Sequence, residues 1–90
     1  DIKQEEAVER EHALIKILVD AARRAELLQV ITAVQARIID SLDDIWTLEV
    51  TGDSSSVDNA FNLFKSFTIL ESIRTGKLAM ERGTSRFAPG

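Results

Sequence analysis

The sequence predicts an α/β (α+β) sandwich in which one antiparallel sheet carries two helices on a single face. Three observations predict it. Residues 13–19 are mostly apolar on both strand faces, with Ile15, Ile17 and Val19 β-branched, as a central strand would be. Leu27, Val30, Ile31 and Val34 fall at i, i+3, i+4 and i+7, and Val57, Ala60, Phe61 and Phe64 repeat that helical stripe 30 residues later. Trp46, Leu48 and Val50 alternate with Thr47, Glu49 and Thr51, the period of a strand with one wet face.

The elements follow in order. Residues 1–11 are highly charged and read as a linker or N-terminal extension. The first strand is Ala13 to Val19, with Ala13, Ile15, Ile17 and Val19 on one face and Leu14, Lys16 and Leu18 on the other. Asp20 is a good N-cap, and the helix former-rich stretch behind it predicts a helix over residues 21–35. Arg37 to Asp40 is a short strand, and Leu42, Asp43 and Asp44 form its turn. The strand 46–51 follows. Gly52 and Asp53 break it, and Ser54, Ser55 and Ser56 offer capping oxygens to the second helix. A last strand covers Thr68 to Arg74. Gly76 permits a bend, Lys77 to Met80 continues as a short extended arm, and 84–90 reads as a flexible tail. Two strand–helix–strand units joined by a hairpin make the ferredoxin-like βαββαβ arrangement, with residues 12–83 as one domain.

Composition narrows the function. Ninety residues suit one domain with a thin core. The chain has no cysteine and no Tyr, and only one His, which excludes a disulfide scaffold, a zinc finger and a thiol nucleophile. Eleven basic residues against fifteen acidic ones leave a net charge of −4, so a phosphate-neutralising nucleic-acid surface is not expected. The imbalance is local: Asp1, Glu5, Glu6, Glu9 and Glu11 make the start acidic, while Arg74, Lys77, Arg82 and Arg86 make the end basic. No apolar run is long enough to span a membrane, and the acidic start lacks an apolar signal core. The chain begins without Met, as a fragment or a processed product would.

Four strings then bring a family into view. Arg10-Glu11-His12-Ala13-Leu14-Ile15-Lys16 resembles the Arg-Glu-x-x-Leu-Ile-Lys opening of the C-terminal domain of the acetolactate synthase small (regulatory) subunit. Ile39-Asp40 resembles the Val-Asp that ends its second strand. Glu49-Val50-Thr51-Gly52 is similar to its Glu-Val-Thr-Gly string. Arg74-Thr75-Gly76, with Arg82-Gly83 behind it, is similar to its Arg-Thr-Gly and Arg-Gly ending. The resemblance spans residues 10–83 and implies an ACT-like regulatory domain, not an enzyme. In that family the small subunit pairs a valine-binding ACT domain with this second domain and activates a thiamine-diphosphate-dependent catalytic subunit of branched-chain amino-acid biosynthesis. The implied partners are a second copy and that catalytic subunit. The implied compartment is the cytoplasm, or the plastid or mitochondrion of a eukaryote. Two departures stand out. Asp20-Ala21-Ala22 is not the Gly-rich loop of an ACT domain, so no valine ligands are carried over. Ser41 to Trp46 also differs from the family's shorter turn.

Candidate sites follow from residue chemistry. Leu14, Lys16 and Leu18 would form the self-association face if the helices cover only the other side of the sheet. Arg74 and Lys77 flank Gly76 and would meet an acidic surface or a phosphate, or else end a strand as solvated charges. Trp46 reads first as core and second as an interface anchor. His12 has no second imidazole or thiol for a metal site, and Asp43-Asp44 reads as turn chemistry. Neither catalytic residues nor a cofactor site are expected. RNA stacking on an open sheet would need aromatics there, and of the aromatics only Trp46 lies on a predicted strand. A free-standing small-molecule sensor of the same fold, and a dimerisation domain of an unrelated protein, are the alternatives.

Overall fold

The computed structural model describes residues 7–83. Their order is β1 (Ala7–Leu18), a 3-10 turn (Ala21–Arg23), α1 (Arg24–Ala33), β2 (Arg37–Leu42), β3 (Ile45–Gly52), α2 (Ser54–Phe64), β4 (Thr68–Arg74) and β5 (Leu78–Glu81). The strands lie in the order β2-β3-β1-β4, every pairing antiparallel, and β5 pairs with the first residues of β1. This is the ferredoxin-like sandwich expected, with one strand more.

β1 organises the sheet. Its odd positions are buried from Glu11 to Ile17 and its even positions are half-buried or exposed, so one face is covered and the other is not. Across the covered face Ala13 pairs with Val50, Ile15 with Leu48 and Ile17 with Trp46. Leu27 and Ile31 of α1 and Val57, Ala60 and Phe64 of α2 close over them. Ile15, Ile17, Leu48, Val57 and Phe64 have no accessible surface. Ends are capped by aspartates. Asp20 accepts from the Ala22 amide at 3.0 Å. Asp53, not one of the serines, caps α2 by accepting from the Ser56 amide at 2.8 Å. The approach at Gly52 is tight: an added Cβ would lie 3.0 Å from the Ser56 Cβ. Arg23 ties the two helices' ends together: its guanidinium donates to the Ser66 carbonyl at 2.6 Å and lies 4.0 Å from the centre of the Phe67 ring.

Three boundaries differ from expectation. β1 begins at Ala7, so residues 7–11 are strand and not linker, because Ala7 to Arg10 pair with Leu78 to Glu81. α1 begins at Arg24, after a tighter turn at Ala21–Arg23. β2 runs on to Leu42, closed by a turn in which Asp43 takes φ 56°. Residues 1–6 of the expected extension and the tail 84–90 lie outside the described residues.

Candidate functional site

The even positions of β1 open onto the uncovered face. Leu14 and Lys16 are half-buried there and Leu18 is exposed. All three therefore lie on one surface. Leu14 stands opposite Ile73 of β4, which is 66 % exposed, and Leu18 stands opposite Ile45 of β3. Leu42 of β2 pairs with Ile45 and is 69 % exposed, so the apolar surface continues to the sheet's far end. In the other direction it continues into the ribbon of β1 and β5. Val8 faces Met80 and Arg10 faces Leu78, in phase with Leu14; Met80 is 75 % exposed.

Lys16, Glu71, Glu49 and Arg37 on this face are paired, and Arg10 stands on the same face opposite Leu78. Lys16 Nζ donates to Glu71 Oε1 at 3.1 Å across the β1–β4 pair. Glu49 lies 2.9 Å from His12 Nε2 and 3.6 Å from Arg37 Nη1. Two shallow depressions flank the Leu14–Ile73 ridge. One, of about 350 Å³, is lined by Leu14, Lys16, Thr47, Glu71, Ser72 and Ile73. The other, of about 240 Å³, is lined by His12, Ala13, Leu14, Ile73, Arg74 and Thr75.

The covered face holds a second constellation. Arg74 grips Glu11 through Nε and Nη2, both bonds 2.7 Å long, and Nη2 also lies 2.8 Å from Asp58 of α2. Its guanidinium stands 5.1 Å from the centre of the Phe61 ring. Glu11 is the one buried charged residue among those described, 5 % exposed, and the Arg74 hydrogen bonds hold its carboxyl below its ordinary value of 4.5. Glu11 raises Arg74 in return. Next to it, Glu9 accepts from the Ser54 amide at 3.0 Å, which lowers Glu9 in the same sense, and Lys77 Nζ lies 3.6 Å from its other oxygen. So the two cations expected at the strand end face inward acids. Arg74 is a clamp joining β1, β4 and α2, while the Lys77 side chain stays 58 % exposed. Trp46 stands on the helix side, half-buried against the core.

The clamp escaped sequence reasoning because Glu11 and Arg74 lie 63 residues apart. One signal was present: Glu9 and Glu11 share the parity of Ala13, Ile15 and Ile17, so both acids point beneath the helices. Asp53 and Glu9 already take amides of the first turn of α2. Asp43 and Asp44 are exposed turn residues. Among the described residues no group of three His, Cys, Asp or Glu side chains gathers to hold a metal, and no helix is long and apolar enough to cross a membrane.

The architecture is that of a ferredoxin-like domain with two helices on one sheet face and a partly apolar face left uncovered by the described residues. The family described as the small subunit of acetolactate synthase matches residues 10–83. The chain is 42 % identical over 79 residues to the acetolactate synthase small subunit of Aquifex aeolicus, covering 87 % of this chain and 41 % of that protein. It is 35 % identical over 88 residues to the Bacillus subtilis small subunit, covering 98 % of this chain and 51 % of that one. The crystal structure of the Thermotoga maritima small subunit superposes with a TM-score of 0.84 at 35 % identity, over 94 % of this chain and 52 % of that chain. The chain belongs to the acetolactate synthase small-subunit family, and it spans about half the length of these relatives, or less.

Proposed function

We propose that this chain is a non-catalytic regulatory domain that associates with itself and supports assembly and activation of the acetolactate synthase catalytic subunit. The uncovered sheet face carries this reading. Leu14, Leu18, Ile45 and Ile73 lie together on a side that no helix among the described residues covers. Exposed apolar surface of that kind is stabilised by a partner. Leu14, Lys16 and Leu18 form the self-association face, with the Lys16–Glu71 pair giving it register. Lys77 is the cation available to an acidic surface of the catalytic subunit. Arg74 acts behind it by holding β4 to β1, and Trp46 contributes through the core edge of β3. The domain works in the compartment of its catalytic partner, the cytoplasm in a prokaryote, or the plastid or mitochondrion in a eukaryote.

The test is a titration of this chain into purified acetolactate synthase catalytic subunit, followed by sedimentation and by turnover. Co-sedimentation with a rise in rate is the expected result. Absence of both, at concentrations where the chain is folded, overturns the assembly reading.

A further inference from the structure

At one end of the sheet the last turn of α1, the end of β3 and the first turns of α2 border an open cleft of about 500 Å³. That volume falls in the range of roughly 300–1,000 Å³ usual for small-molecule sites. Both helices line it, so it lies apart from the Leu14–Ile73 ridge. β3 ends at Gly52, opposite Glu11, so no residue of β3 stands beside Arg10, which joins the lining.

Polar side chains converge on this cleft. Gln35 and Asn59 bring amides, Thr51 and Ser56 hydroxyls, Arg10 a guanidinium and Asp53 a carboxylate. Elsewhere on the helix side such groups are engaged: Arg23, Arg74, Glu9 and Asp20 all hold hydrogen bonds. Here, among the described residues, the side chains of Arg10, Gln35, Thr51 and Asn59 make no hydrogen bond or ion pair. The backbone is unusual at the same place. Gln35 takes φ 57° just after the C-cap of α1, where glycine is the common choice. Side-chain-bearing residues held in that region gather at ligand sites. The Ser54 and Ser56 amides already donate to Glu9 and Asp53, so the groups left to a ligand are chiefly side chains.

Their chemistry selects a ligand class. The planar fork of Arg10 suits a carboxylate. Amides and hydroxyls both donate and accept, as ligand hydroxyls do. The Ser56 amide holds the Asp53 carboxyl below its ordinary value of 3.8, so it is ionised and can accept from a hydroxyl. A ligand ammonium is disfavoured there, because the Arg10 cation already acts on that carboxylate. An aliphatic side chain would find only Ala33 and Val34. We propose that this cleft binds a small hydroxylated carboxylate, its carboxylate on Arg10 and its hydroxyls among Gln35, Thr51, Asp53 and Asn59. The site is separate from the uncovered sheet face and stands or falls independently of the association reading.

The test is a titration of the nitrogen-labelled chain with gluconate, followed through the amide resonances of Gln35, Gly52 and Asn59. Saturable shifts at these residues are expected, with a dissociation constant of about 1 mM. Propionate, which lacks the hydroxyls, and sorbitol, which lacks the carboxylate, bind at least about tenfold more weakly. Arg10→Gln and Asn59→Ala change exposed side chains that make no bond within the described domain, and circular dichroism checks that both fold. Arg10→Gln weakens gluconate about tenfold, and Asn59→Ala weakens it to a smaller extent. Absence of shifts at about 50 mM gluconate overturns the proposal. So does equal binding of propionate or sorbitol, or an unchanged affinity in folded Arg10→Gln. Free serine binding more tightly than gluconate would show that the cleft takes a zwitterion and would overturn the ligand class.

Discussion

Arg74 sits where β1, β4 and α2 meet, and its guanidinium is shared between Glu11, Asp58 and the face of Phe61. A fork of this shape suits two parallel hydrogen bonds, which a lysine cannot make. Removing it leaves Glu11 buried with its main partner gone, so Arg74→Met lowers stability, and Arg74→Lys does so only in part. The pH dependence has a fixed sign. The Glu11 carboxyl is lowered from 4.5 chiefly by the Arg74 hydrogen bonds. Its contribution is therefore complete above that value and is lost as pH falls through the lower folded-state value. Urea unfolding of wild type and Arg74→Met should show a constant stability gap from pH 8 to about 5 that narrows below about 4.5. A gap unchanged at low pH would show that the loss is one of packing on Phe61. Glu9, held down by the Ser54 amide, and Asp53, held down by the Ser56 amide, add acid sensitivity of the same sign at the start of α2. The residue scale was the hardest to anticipate. Arg74 and Lys77 are cations at a strand end in either reading, and only the fold brings them to Glu11 and Glu9.

α2 packs its apolar stripe of Val57, Ala60 and Phe64 against β1 and β3, and Phe64 is fully enclosed. Phe64→Ala should cost about 3–5 kcal/mol in chemical denaturation, from lost transfer energy and the cavity left behind. The approach of α2 to β3 is tightest at Gly52. Gly52→Val should cost about 1–3 kcal/mol, because its Cβ meets the Ser56 side chain. A neutral result there would mean the start of α2 can shift. Helices and inner strands were legible because their periods are written in apolar residues that have no other place to go. Both stripes and the burial of Ala13, Ile15 and Ile17 follow from spacing alone. The start of β1 was not legible, since Val8, Glu9, Arg10, Glu11 and His12 carry four polar side chains in five residues. Their strand state comes from pairing with β5 up to Arg10 and with β3 from Glu11, and from acids satisfied beneath α2. Trp46 reads first as core from the sequence and does pack against the core, although the facing of its strand is fixed only by the register with Ile17.

At the scale of the molecule, the two helices cover one side of the sheet and, among the described residues, leave the other uncovered. The covered side is a closed core with no unsatisfied buried side-chain polar atom among the described residues. On the uncovered side, a ridge of Leu14 and Ile73 lies between paired charges and two shallow depressions. The asymmetry is the molecule's main functional statement: the side that needs no partner is complete, and the other is apolar where solvent would have to be ordered around it. Membership of the acetolactate synthase small-subunit family supports the proposed regulatory role. The most direct test of this account is sedimentation equilibrium of the chain beside its Leu18→Glu variant, both shown folded by circular dichroism. The account predicts a dimer for the unmodified chain and a monomer for the variant, since the new carboxylate would be buried at the interface without a counter-charge. A Leu18→Glu variant that remains as dimeric as the parent would contradict it.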